Sequence, residues 1–113
     1  MSPSMSPVLP DTLKRYFAAQ NRHDIEALVA CFAADAVVRD EGWDIVGTEA
    51  IRAWKQATSA KYQVTVEPLE SRTEAGRTVV VARAAGRFPG SPVNLTYRFG
   101  LAEDGRIGAL EIG

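Results

Sequence analysis

One cysteine, one histidine and no apolar run of membrane-spanning length mark this 113-residue chain by what it lacks. The lone Cys31 excludes an intramolecular disulfide and any site built from several thiolates, and within an apolar helical run it reads as a small core residue. His23 alone, among scattered carboxylates, gives no metal-ligand spacing and reads as a capping or surface residue beside Asp24. No Gly-rich phosphate loop, dinucleotide fingerprint or local Ser-His-Asp set is present, so neither a cofactor nor a metal is implied. Charge of one sign is missing too. The 13 basic and 14 acidic residues are spread along the chain and leave a net −1, which excludes a nucleic-acid or anionic-membrane surface.

What remains is ordinary in amount and informative in order. With 46% apolar and 24% charged residues, the chain has the composition of one globular domain able to bury roughly two-thirds of its unfolded surface. Residues 1–10 have neither the basic nor the apolar region of a signal peptide, and their prolines and serines read as a flexible lead-in to a domain over 11–113. A cytoplasmic location is the expectation.

Helical spacing comes first. Leu13, Tyr16, Phe17 and Gln20 form one stripe behind an N-cap expected at Asp11. Asp24 caps a second helix with the stripe Ile25, Leu28, Val29 and Phe32, and Glu26 suits its dipole. A short β-prone segment, Ala36–Asp40, leads into a loop carrying Glu41, Trp43 and Asp44. A third helix is then expected with Thr48 as N-cap and Ala50, Ile51, Ala53, Trp54 and Ala57 on its buried side. From Tyr62 the period changes to 2. Tyr62-Val64-Val66, Thr78–Ala85, Val93–Leu101 and Ile107–Ile112 read as strands, with Ala75-Gly76, Phe88–Pro92 and Asp104-Gly105 as joints. Helices followed by a meander predict an α+β domain: three N-terminal helices packed on the concave face of a curved, antiparallel sheet of four or five strands.

Arg15-Tyr16-Phe17, Asp24–Leu28, Phe32–Val38, Gly47–Ile51 and the closing stretch Tyr97–Ile112 together resemble the NTF2-like superfamily, in particular its SnoaL-like and ketosteroid-isomerase-like members. The resemblance implies a cone-shaped fold with a small-molecule cavity at its mouth. In the isomerases a tyrosine on the first helix donates to the substrate oxygen, and an aspartate on the first strand shuttles the proton. Tyr16 and Asp40 fall on those positions, and Tyr97 stands where the isomerases carry a neutral carboxylic acid. The implied chemistry is a cofactor-free isomerase or cyclase acting on a hydrophobic carbonyl compound.

Each residue has a plainer reading beside this one. Asp40 is either the base of a desolvated site or a solvated strand-end carboxylate, with Glu41 and Asp44 as alternative bases. Tyr16 and Tyr97 are either donors or core tyrosines. Trp43, Trp54 and Phe17 are candidate ligand-binding walls, Trp43 at the mouth and Trp54 more simply core. Asn94, Thr96 and Arg98 alternate with the apolar row of their strand, and the polar outer sheet face they mark is the expected homodimer surface. A non-catalytic binding module and a dimerisation module with a filled cavity are the competing functions.

Overall fold

The computed structural model describes residues 9–40 and 42–113, so most of the expected lead-in, and Glu41, lie outside the described residues. Within them, α1 (Asp11–Arg22), α2 (Ile25–Val29), β1 (Phe32–Asp40), β2 (Trp43–Val46) and α3 (Thr48–Tyr62) precede β3 (Thr65–Glu74), β4 (Arg77–Ala85), β5 (Val93–Leu101) and β6 (Ile107–Ile112).

The helix starts follow local chemistry, one residue removed from expectation in two cases. Pro10, not Asp11, caps α1. Its carbonyl accepts the N–H groups of Leu13 (3.0 Å) and Lys14 (3.1 Å), leaving Asp11 in the first turn. Asp24 caps α2 as expected, its Oδ1 accepting the Ala27 N–H at 3.1 Å. Gly47, not Thr48, caps α3. Its φ of 89° is one that glycine adopts without strain, and its carbonyl accepts the Ile51 N–H at 3.0 Å.

Three sheet features depart from the sequence reading. β1 begins at Phe32 rather than Ala36, because the Cys31 carbonyl accepts the Ile107 N–H at 2.8 Å and draws the segment onto the sheet through a register shift between Phe32 and Val37. Trp43–Val46, expected as a loop, pairs with β1 as a hairpin strand after Gly42, whose φ is 81°. The sheet has six strands in the order β2-β1-β6-β5-β4-β3, and the β1–β6 pair is parallel while the others are antiparallel. No local signal marks that parallel pair, since it joins the first strand to the last. The Asp104-Gly105 turn joins β5 to β6 as the sequence predicts, with Gly105 at φ 87°.

One core lies between the helices and one sheet face. Val38, Leu110, Phe99 and Thr78 align across β1, β6, β5 and β4, beside a row of Ile112, Tyr97 and Val80. The α1 stripe lands on these rows: Tyr16 packs edge-on against Phe17, Phe32 and Phe99 at centroid distances of 5.1, 5.9 and 5.5 Å. α3 covers only the β1–β2 end and α2, so its buried strip is narrow. Ile51 and Lys55 are buried, Trp54 is half-buried, and Ala50, Ala53 and Ala57 are exposed, contrary to the expected stripe. The helix also runs through Tyr62, where strand alternation was expected to begin.

Candidate functional site

Because α3 reaches only part of the sheet, a cavity of about 790 Å³ remains between α3, the β1–β2 hairpin and the inner face of β5. Asp40 closes β1 on its rim, and Trp54 and Lys55 enter from α3. Leu95, Tyr97 and Ile112 form sheet wall, and Phe88 and Pro89 come from the β4–β5 connection. The walls are mostly apolar, the character of a small-molecule site.

Of the residues singled out from sequence, Asp40, Tyr97, Trp43 and Trp54 line this cavity; Tyr16 and Phe17 do not. Asp40 is half-buried, and its Oδ2 accepts the Trp54 Nε1–H at 3.3 Å. Trp43 stands on β2 at the mouth, 74% exposed, rather than on a loop. Tyr97 is buried with its ring 5.6 Å from Phe17. Burial, and then the charge of Asp40, push its hydroxyl well above the ordinary range. Tyr16 lies one layer deeper and is also pushed up, chiefly by burial, with Tyr97 and Asp40 adding to the effect. Asp44 lines the mouth but is held by Arg39, Nε to Oδ1 at 2.8 Å, which keeps its carboxyl below the usual range. His23 caps α1 in the left-handed conformation, and its ring meets Ser59 Oγ at 2.9 Å, so it serves the helix joint.

Sequence reasoning missed Lys55 and the role of Gln20. The Lys55 ammonium is buried and donates to Gln20 Oε1 at 2.5 Å. Gln20 Nε2 in turn donates to the Val64 carbonyl at 3.0 Å, which fixes the amide with its oxygen toward the lysine. The ammonium also sits 4.4 Å from the Trp54 ring centroid. Burial pulls the Lys55 pKa down to about 8, with the charge of Asp40 drawing it back up. The available signal was spacing: Lys55 stands four residues after Ile51, on the same helix face.

A family model described as the SnoaL-like domain matches residues 13–108. The chain belongs to the SnoaL-like family. A Sinorhizobium meliloti protein, named as a candidate polyketide cyclase, is 46% identical over 93% of this chain and 95% of its own, with a TM-score of 0.88. A Catenulispora acidiphila protein of ketosteroid-isomerase-like fold, solved with trimethylamine, is 22% identical over 94% of this chain and 86% of its own, at a TM-score of 0.82. A Mycobacterium tuberculosis protein solved with estradiol-17β-hemisuccinate is 20% identical over 96% and 93%, at a TM-score of 0.79. These last two share the fold alone. None of the curated proteins compared with the chain matches it. Among the described residues of this SnoaL-like domain, no group of three or more His, Cys, Asp or Glu is placed to hold a metal ion, and no helix is long and apolar enough to cross a membrane.

Proposed function

We propose that this SnoaL-like domain carries out cofactor-free acid–base chemistry on a hydrophobic carbonyl compound, bound in the cavity as in the mouth of a cone. The observation that carries the reading is the position of Asp40: a carboxylate on the rim of a mostly apolar cavity, beside Tyr97 and fixed by Trp54. In this scheme the Asp40 carboxylate takes a proton from the carbon next to the carbonyl. The electron pair moves onto the carbonyl oxygen, and Tyr97, which lines the cavity as Tyr16 does not, donates a hydrogen bond to the enolate. Return of the proton to another carbon isomerises the compound. Attack of the enolate carbon on a second carbonyl carbon of the same molecule closes a ring, as that C=O π bond opens to an alkoxide that takes the proton back from Asp40. Neither outcome changes the oxidation level overall, so the scheme requires no redox partner. The likeness to a candidate polyketide cyclase supports the class of substrate and leaves its identity open.

A binding module without turnover is the second reading, favoured by the size of the cavity. The third, a dimerisation module with its cavity filled by side chains, fits poorly with a cavity of about 790 Å³ that Trp43 and Trp54 line. Deuterium exchange at the α-carbon of cyclic ketones and polyketide mimics separates the first two. The acid–base reading expects exchange that Asp40→Asn abolishes while ligand affinity persists. Ligand binding without exchange by the wild type leaves the binding module. As part of the same proposal, two domains associate through the outer sheet face, where Asn94 is exposed and Thr96 and Arg98 are half-exposed. Sedimentation at roughly tens of micromolar, where a standard-size interface stays closed, tests that association.

A further inference from the structure

Lys55 is the buried charge that the scheme above leaves without a task. The residue is 8% exposed, yet it lines the cavity. A buried ammonium ordinarily has a carboxylate partner, because the desolvation cost of a charge is large. Among the described residues Lys55 forms no ion pair; its contacts are the Gln20 amide oxygen and the Trp54 ring. An ammonium has three N–H donors, and Gln20 accepts only one. Held by the Gln20–Val64 bond on one side and the indole on the other, the head group is fixed and faces space that a ligand can fill.

We infer that Lys55 holds the oxygen of the bound compound, donating to a carbonyl oxygen that becomes an enolate as its α-proton leaves. This rests on the acid–base reading of the cavity and assigns its strongest electrophile. A full positive charge in low dielectric opposes the developing negative charge more strongly than a neutral phenol does. Asp40 and Lys55 then divide the work: the carboxylate accepts the proton and becomes neutral as the oxygen beside Lys55 becomes negative, so the net charge of the cavity is unchanged through the step. The preferred ligand class follows. It is an apolar compound with one oxygen that bears, or acquires, negative charge.

The charged and titratable groups around Lys55 bear on any pH test. Asp40 faces it from β1 and Tyr97 from β5. Asp44 on β2 is tied to Arg39, and Glu26 on α2 to Arg52 at 2.8 Å. On α3 itself, Lys61 lies over the Tyr62 ring, 5.0 Å from its centroid.

The probe is 2,4-dinitrophenol, ionised throughout the range used, against 2,4-dinitroanisole, the same ring with its oxygen methylated and uncharged. The wild type is expected to bind the phenolate roughly 10–100-fold more tightly than the anisole, the effect of one charge-assisted hydrogen bond. Lys55→Met is expected to lose that preference, Lys55→Arg to keep part of it, and Lys14→Met, at an exposed α1 position outside the cavity, to leave it intact. In the wild type, phenolate affinity is expected to be flat below a pH of about 8 and to fall about tenfold per pH unit above it, as the ammonium is lost, while anisole affinity stays level. That titration needs no variant, so it stands even if Lys55→Met does not fold. Equal binding of the two probes, a preference that survives in Lys55→Met, or no binding of either would each overturn the assignment. Loss of α-proton exchange in Asp40→Asn alongside any of those results would leave the acid–base reading standing without Lys55. Retained phenolate preference with no exchange in the wild type would do the reverse.

Discussion

The Trp54 indole N–H donates to Asp40 at 3.3 Å, tying the middle of α3 to the last residue of β1. That bond holds the carboxylate at the cavity that both residues line. Trp54→Phe keeps the ring over Lys55 and removes the donor. Turnover in the exchange assay is expected to fall about tenfold or more, since a hydrogen bond to a charged group is worth roughly 1.5–3 kcal/mol. The folded state should hold, with circular dichroism unchanged. Unaltered exchange in Trp54→Phe would mean that the indole does not position Asp40.

Lys55 couples the site to stability. Its folded pKa of about 8 lies below the 10.5 of an unfolded lysine, so the folded state holds its proton less tightly. The cost of burying the charge is therefore complete below a pH of about 8 and disappears as pH rises toward 10.5. The stability of the wild type should rise relative to Lys55→Met across that window, by up to about 3 kcal/mol from a shift of this size. Urea unfolding of both proteins at pH 7, 8, 9 and 10 reads the difference directly. A constant difference across the window would show that the ammonium is not desolvated.

Much of this fold was legible because its signals are local. The α1 stripe, the Asp24 cap, the Asp104-Gly105 hairpin and the alternation of Val93–Leu101 all arise from residues a few positions apart, and each is present. What escaped the sequence depends on distant partners. The parallel pairing of β1 with β6 is set by strands at opposite ends of the chain, and β1 starts early only because Ile107 reaches Cys31. The site divides in the same way. Asp40 and Tyr97, which the family resemblance singled out, line the cavity with Trp43 and with Trp54, which read more simply as core, while Tyr16 and Phe17 do not line it. Lys55 was passed over because a lysine on an amphipathic helix is ordinarily solvated, and only the narrow cover of α3 and the amide of Gln20 bring it inside.

Asp24 offers a test of local structure separate from the site. Its carboxylate accepts one of the otherwise unpaired N–H groups at the start of a helix of only 5 residues, too short to persist on propensity alone. Asp24→Ala is expected to cost about 1 kcal/mol in urea unfolding, and Asp24→Asn or Asp24→Ser to recover most of it. Exchange activity should be unaffected in all three, because Asp24 is not among the cavity residues.

Gly86 joins the packing to the cavity wall. A Cβ placed there would stand 2.6 Å from the Tyr62 carbonyl oxygen and 3.1 Å from the Val64 Cα. Both are backbone atoms, so no rotamer change relieves the contact. The same carbonyl accepts the Arg87 N–H, and Tyr62, Val64 and Phe88 all line the cavity. Gly86→Ala must therefore push the end of α3 away from β4, at about 1–3 kcal/mol as for other overpacked sites. It should also weaken dinitroanisole binding, since the wall it displaces is apolar. Gly108 on β6 is the control: its added Cβ meets nothing nearer than 3.7 Å, and its φ is not in the left-handed region. Gly108→Ala is expected to be neutral or slightly stabilising, because it restricts the unfolded chain without crowding the folded one. If both variants unfold at the same urea concentration as the wild type, then the contact of Gly86 with the Tyr62 carbonyl does not hold α3 against the sheet, and the cavity owes its shape to other contacts.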